Sequence, residues 1–170
     1  YEAVKYLVKS GDLKLDTELI RIAREGGVRF VGPNCMGVFS NYAGVSFMDA
    51  TPQPEIVGAD VSFIGQSGTL CDNFTLQGRE RGLKINKVIS LGNEADLKFC
   101  DYLAYFAADA QIKIIAAYME GVREGREFLR LVRQVSQRKP VVVWKAGKTF
   151  AGSRATLSHT GSLAGNNMVN

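Results

Sequence analysis

The stretch Val61-Ser62-Phe63-Ile64-Gly65-Gln66-Ser67-Gly68-Thr69-Leu70 decides the fold. Residues 61–64 form a short run suited to a buried strand, Gly65-Gln66-Ser67-Gly68 turns the chain, and residues 69–81 follow with a helical pattern. The rhythm then repeats. Residues 87–91 read as a second strand, Gly92-Asn93 as a turn, and residues 101–108 as a helix. Residues 112–119 make a third strand. Residues 123–137 predict an amphipathic helix with Phe128, Leu129, Val132 and Val135 inward and Arg123, Glu127 and Arg130 outward. Residues 140–144 make a fourth strand. Strands alternating with helices at this spacing belong to the α/β class: a parallel sheet with flanking helices and right-handed crossovers.

Upstream the pattern differs. Leu15, Leu19, Ile22 and Ala23 recur at helical spacing with Asp16 as the expected N-cap, and Gly26-Gly27 closes that helix. Residues 28–31 read as a short strand broken by Gly32-Pro33-Asn34-Cys35. Residues 40–58 contain Pro52 and Pro54 and show no periodicity, which places a domain junction there. The expected division is therefore an incomplete first domain with its linker over residues 1–50 and a second domain over residues 51–170. Tyr1 stands where a helix is already under way, and a new helix opens from Ser162, so a piece of a longer protein is expected.

Composition narrows the classes. Of 170 residues, 46% are hydrophobic and 22% charged, which is ordinary for a globular protein, and no apolar run is long enough to span a bilayer. Neither a membrane partner nor a secretory signal is expected. The net charge of +4 favours anionic ligands mildly and is too dispersed for nucleic acid. Cys35, Cys71 and Cys100 are widely spaced and odd in number, and the chain has one histidine. They make no metal site and no disulfide framework, which points to the reducing cytoplasm.

In an open parallel sheet the strands share one carboxyl edge, where ligands bind. The segments expected on that rim are residues 65–69, residues 92–96, Glu120-Gly121 and residues 145–165. Ser67-Gly68-Thr69 opens a helix directly after a strand, so unpaired backbone N–H groups and the helix dipole favour an anion; alternatively Ser67 only caps the helix. Glu120 closes an apolar strand, where a carboxylate needs a partner. That partner is either His159, whose tautomer it would fix, or the nearby Arg123. His159 itself lies in Ser158-His159-Thr160-Gly161-Ser162-Leu163-Ala164-Gly165, among small residues. It is a candidate nucleophile carried on a basic, glycine-containing loop that is expected to move.

Taken together, Gly32-Pro33-Asn34-Cys35-Met36-Gly37, Gln66-Ser67-Gly68-Thr69-Leu70, Ser90-Leu91-Gly92-Asn93-Glu94-Ala95-Asp96, Tyr118-Met119-Glu120-Gly121-Val122, Lys139-Pro140-Val141-Val142-Val143 and the His159 motif resemble, in order, a known family. It is the nucleoside-diphosphate-forming acyl-CoA synthetases, the ADP-forming acetate–CoA ligase group, related to the alpha subunit of succinyl-CoA synthetase. The resemblance runs from about Leu15 to Gly165. It implies a flavodoxin-like, succinyl-CoA-ligase-like domain preceded by the tail of a Rossmann-type CoA-binding domain.

The same resemblance implies a reaction. Acyl-CoA and inorganic phosphate give an acyl phosphate, whose phosphoryl group passes to a histidine matched by His159 and then to ADP. Glu120 matches the glutamate that orients the histidine, and Ser67, Gly68 and Thr69 match the phosphate-binding helix start. Asn34, Cys35, Gly92 and Asn93 are the candidates for CoA or acyl contacts. Coenzyme A is a substrate. Mg-ATP or ADP binds an ATP-grasp domain or a beta-type subunit outside this chain, and an oligomer is expected. Two other readings stay open: a ligase-like regulatory or scaffold domain of a larger protein such as a protein lysine acetyltransferase, and a flavodoxin-like module for a mononucleotide.

Overall fold

The structure, a computed structural model, describes residues 13–147. Its elements in chain order are α1 (Leu13–Glu25), β1 (Val38–Ser40), β2 (Val45–Ser46), β3 (Val61–Gly65), α2 (Gly68–Glu80), β4 (Ile85–Ser90), α3 (Phe99–Ala108), β5 (Ile114–Met119), α4 (Gly125–Val135) and β6 (Val141–Lys145). The six strands form one sheet in the order β2-β1-β4-β3-β5-β6. The four strands expected from the sequence are all present, and every pair among them is parallel. The fold is α/β, a largely parallel sheet with flanking helices, as the sequence pattern predicts.

Alternation along the strands splits the core between two faces. Ile64, Ile89, Ile115 and Met119 pack with Leu103 and Phe106 of α3 and Val135 of α4. Phe63, Val88 and Ile85 turn the other way, onto Cys71 of α2 and onto Phe39 and Met48. The order β4-β3-β5-β6 starts in the middle, adds β4 on one side and then β5 and β6 on the other. The direction of winding therefore changes between β3 and β5, the kind of place beside which ligand clefts form in such sheets.

Four details differ from the pattern reading. First, a short hairpin, β1 and β2, extends the sheet beyond β4 with antiparallel pairing, Phe39 opposite Val88 and Ser46 opposite Phe39. Three- and two-residue strands are too short to show a period of two, so a region with prolines gave no strand signal. Second, residues 28–31 form no regular strand. They continue the antiparallel course of β1 past the end of β4, with Leu97 N–H donating to Phe30 O at 3.3 Å and Ala95 N–H to Gly32 O at 2.9 Å. Third, Leu129 is 54% exposed, and Leu131 takes its place beside Phe128 and Val132 against the core. Asp16, expected as an N-cap, lies inside α1.

Candidate functional site

The carboxyl ends of β3 and β4 open into a cleft of about 320 Å³ lined by Asn34, Cys35, Met36, Gln66, Ser67, Gly68, Thr69, Gly92 and Asn93. All seven residues singled out as phosphate or CoA contacts, Asn34, Cys35, Ser67, Gly68, Thr69, Gly92 and Asn93, are therefore walls of one space. They come from three separate segments. Residues 32–37 lie across the end of β4, where Asn93 N–H donates to Pro33 O at 2.8 Å, Ser90 N–H to Gly37 O at 2.9 Å, and Met36 N–H to Ser90 Oγ at 3.1 Å. Two backbone features hold this wall. Asn34 adopts a φ of 55°, and Gly92, at a φ of 59°, approaches residues 33 and 34 so closely that a Cβ there would lie 2.2 Å from Pro33 O. Only a glycine fits at such a distance with that φ.

The floor is the start of α2. Ser67 is its N-cap residue, with extended backbone (φ −101°, ψ 123°), yet its side chain makes no capping hydrogen bond. Cap duty therefore does not engage the hydroxyl, which leaves it for a ligand. Cys71 N–H donates to Ser67 O at 3.1 Å, the first bond of the helix. The N–H groups of Gly68, Thr69 and Leu70 precede that bond and have no partner inside the helix. The first turn carries no acidic residue. An anion here gains about 0.3–1 kcal/mol from the dipole, and up to ~2 kcal/mol when partly buried. Gly68 has a second constraint: a Cβ would stand 2.4 Å from Met36 Cγ, so Met36 presses on the helix start.

Glu120 is 7% exposed just past the end of β5, and it is hydrogen-bonded to Gln66, a wall of the cleft. Its N–H donates to Gln66 Oε1 at 2.5 Å, its carbonyl accepts from Lys145 Nζ at 2.8 Å, and its Oε1 accepts from Tyr118 Oη at 3.2 Å. Burial, and then the neighbouring Glu120 carboxylate, push the Tyr118 hydroxyl above its usual pKa, so Tyr118 stays a proton donor to Glu120 at neutral pH. His159 and the rest of the loop from residue 148 onward lie outside the described residues, as do the expected mobility of that loop and the contact with Glu120.

The two cysteines near the cleft differ. Burial raises the thiol of Cys35, which lines the space, and pushes that of Cys71 up to about 12 beneath it. Neither is an activated nucleophile. Among the described residues, no group of three His, Cys, Asp or Glu side chains is placed to hold a metal ion, and no helix is long and apolar enough to cross a membrane.

Residue-by-residue reading missed Gln66, Met36 and Glu94. Gln66 reads as part of a turn, although a buried amide directly after an apolar strand is a polar group that must find partners. Glu94 gives no local signal in the sequence; the structure holds it at a φ of 52°, where it accepts from Gln66 Nε2 at 2.5 Å and from Phe99 N–H at 2.9 Å.

A family model described as the succinyl-CoA ligase like flavodoxin domain matches residues 58–170. The acetate–CoA ligase [ADP-forming] I of Archaeoglobus fulgidus is 42% identical over 152 residues, covering 89% of this chain and 22% of that protein. The acetate–CoA ligase [ADP-forming] II subunit alpha of Pyrococcus furiosus is 41% identical over 150 residues, covering 88% of this chain and 32% of the subunit. Among solved structures, the dinucleotide forming acetyl-coenzyme A synthetase 1 of Ca. Korarchaeum cryptofilum, in complex with phosphate and ADP, superposes with a TM-score of 0.81 at 36% identity. That match covers 94% of this chain and 34% of the other. The chain thus spans between about a fifth and a third of the length of these relatives.

Proposed function

The chain belongs to the succinyl-CoA-ligase-like flavodoxin domain family, and on that premise we propose that it is the alpha-type part of an ADP-forming acyl-CoA ligase. The observation that carries this reading is the cleft: seven residues from three segments line one space at an unengaged helix start, and another of its walls, Gln66, is hydrogen-bonded to the backbone of the buried Glu120. Relatives named as ADP-forming acetate–CoA ligases, together with a similar structure that holds phosphate and ADP, support the reaction class.

Inorganic phosphate binds at the N-terminus of α2, against the N–H groups of Gly68 and Thr69 and the Ser67 hydroxyl. One phosphate oxygen attacks the thioester carbonyl, the C–S bond breaks, and CoA leaves with its sulfur as the thiolate. The same N–H groups hold the acyl phosphate that forms. His159 Nε2 then attacks phosphorus, the P–O bond to the acyl group breaks, and a carboxylate departs. Glu120 orients the imidazole and stabilises its charge. The phosphoryl group finally passes to the terminal oxygen of ADP, bound with magnesium on an ATP-grasp domain or beta-type subunit outside this chain. Asn34, Cys35, Gly92 and Asn93 contact the CoA or acyl end. The assembly is an oligomer of the cytoplasm, where free thiols such as Cys35, Cys71 and Cys100 persist.

The test is phosphate incorporation. The complete enzyme, incubated with labelled ATP and magnesium, acquires an acid-labile, alkali-stable phosphate, and His159→Ala abolishes it while CoA binding persists. Undiminished labelling of His159→Ala refutes the assignment, and an unlabelled parent protein favours the regulatory or scaffold reading.

A further inference from the structure

Gln66 is the first residue beyond β3, and it is almost fully buried. Its main-chain N–H still bonds to β5, at Tyr118 O, 3.2 Å away. Past that point the side chain itself spans the gap between the two strands. Oε1 accepts from the N–H of Glu120 at 2.5 Å and of Gly121 at 3.0 Å, while Nε2 donates to Gly121 O at 3.0 Å and to Glu94 Oε1 at 2.5 Å. Glu94 is pinned in turn, because its Oε2 accepts from Phe99 N–H, the first residue of α3, at 2.9 Å.

The chemistry of this junction admits one side chain. Two N–H groups face one end of the amide and two oxygens face the other, so a single amide orientation satisfies all four. A carboxylate at residue 66 would set oxygen against Glu94 Oε1 and Gly121 O. An ammonium or guanidinium would set donors against the two N–H groups, and an apolar chain would leave those groups buried without acceptors. Gln66 is also adjacent to Ser67, the start of the anion turn. One amide therefore joins the backbone of Glu120 to the phosphate turn, at the place where the sheet changes its direction of winding.

We infer that Gln66, oriented by Glu94, is a positioning residue that fixes Glu120 relative to the Ser67-Gly68-Thr69 turn. The inference rests on the phosphoryl-transfer reading above. In that reading the histidine oriented by Glu120 must meet an acyl phosphate held by the turn, and a misplacement of about 1 Å costs on the order of a hundredfold in rate.

The test is a swap in the complete enzyme. Gln66→Glu and Glu94→Gln are made singly and together, and each is measured for histidine phosphorylation from acyl-CoA and phosphate and for KM of acyl-CoA. Amide exchange at Glu120 and Gly121 is followed in parallel. Gln66→Glu slows phosphorylation about ten- to a hundredfold, changes KM less than about threefold and speeds exchange of both amides. The double variant restores every bond except that to Gly121 O, so it recovers most of the rate and of the protection. A double variant no better than Gln66→Glu, or parent-like phosphorylation in the single variants, overturns the proposal. Should Gln66→Glu fail to fold, Gln66→Met, neutral and similar in length, carries the same comparison of rate, KM and exchange. His159→Ala is run alongside. If it still labels, the phosphoryl-transfer reading has failed, whereas unchanged amide exchange in the Gln66 variants means that the positioning contact has failed.

Discussion

Substituting Gly92 by alanine tests whether the wall of the cleft is set by close backbone approach. Gly92 has a φ of 59°, and a Cβ there would meet Pro33 O at 2.2 Å, Asn34 O at 2.6 Å and the Asn34 carbonyl carbon at 2.7 Å. Two separate costs follow. Holding an L-residue in the left-handed region costs about 1–2 kcal/mol. Forcing a methyl group against backbone that cannot rotate away costs about 1–3 kcal/mol more, released only by moving residues 33 and 34 outward. The sum is about 2–5 kcal/mol. Gly82 provides the control, since its φ is 84° and a Cβ there meets nothing within 4 Å. Gly82→Ala therefore carries the conformational cost alone, about 1–2 kcal/mol. Urea unfolding of the two variants beside the parent separates the terms, and titration with acyl-CoA reads the cleft. Gly92→Ala is expected to be the less stable of the two and to bind acyl-CoA more weakly, while Gly82→Ala binds as the parent does. Equal destabilisation by both substitutions, or unaltered acyl-CoA binding by Gly92→Ala, refutes the steric argument.

Further outcomes follow from the same geometry. Gly68→Ala drives a Cβ into Met36, so its defect mixes a clash with obstruction of the anion site; adding Met36→Ala relieves the clash, and phosphorylation that stays low in the pair assigns the loss to the anion site. The Asp96 side chain, fully buried, accepts from Arg29 Nε at 2.7 and 3.0 Å and from Phe30 N–H at 3.1 Å, and the Arg29 hydrogen bond holds its carboxyl below the usual carboxylate range. Its stabilisation is present above the unfolded value of about 3.9 and is lost as pH falls through the lower folded value. The stability gap between the parent and Asp96→Asn should therefore be widest near neutrality and close below about pH 4, and a gap that widens in acid contradicts the pairing. Cys71, fully buried with its thiol pushed up to about 12, should resist a thiol reagent at pH 8 until the protein unfolds; rapid labelling of Cys71 in the native protein would show that α2 does not hold it against the sheet.

The parallel part of the fold was legible because each of its strands is long enough to carry an apolar run and is followed by a helix-length pattern. β3 and β5 pair residue for residue from Val61 opposite Ile114 to Gly65 opposite Tyr118, and both runs stand out in the sequence. The hairpin was not legible. Two or three residues cannot display a period, and β1 is specified by what it lies against, Phe39 reaching the core beneath Val88, rather than by its own composition. Leu129 shows the same limit on a helix: the apolar stripe of α4 fixes which side faces inward, and the packing of Leu131 against the core decides which residue at its border is left in water.

The site divides along a similar line. Candidate ligand contacts that rest on a local feature, such as the helix start at Ser67-Gly68-Thr69, announce themselves in a few consecutive letters. Residues that matter through distant partners do not. Gln66 and Glu120 are 54 positions apart and Gln66 and Glu94 are 28 apart, and the separation closes only when β3 lies between β4 and β5. The topology therefore does more than gather loops at an edge. By putting β3 at the centre, it gives the residue that follows β3 simultaneous access to the ends of both neighbours, which no residue on β6 or β2 could have. A buried polar side chain placed there must be satisfied from both sides at once, and a neutral amide with two donors and two acceptors suits that position. The four hydrogen bonds that satisfy Gln66 are the same ones through which, in the proposed role, it holds Glu120 beside the Ser67-Gly68-Thr69 turn.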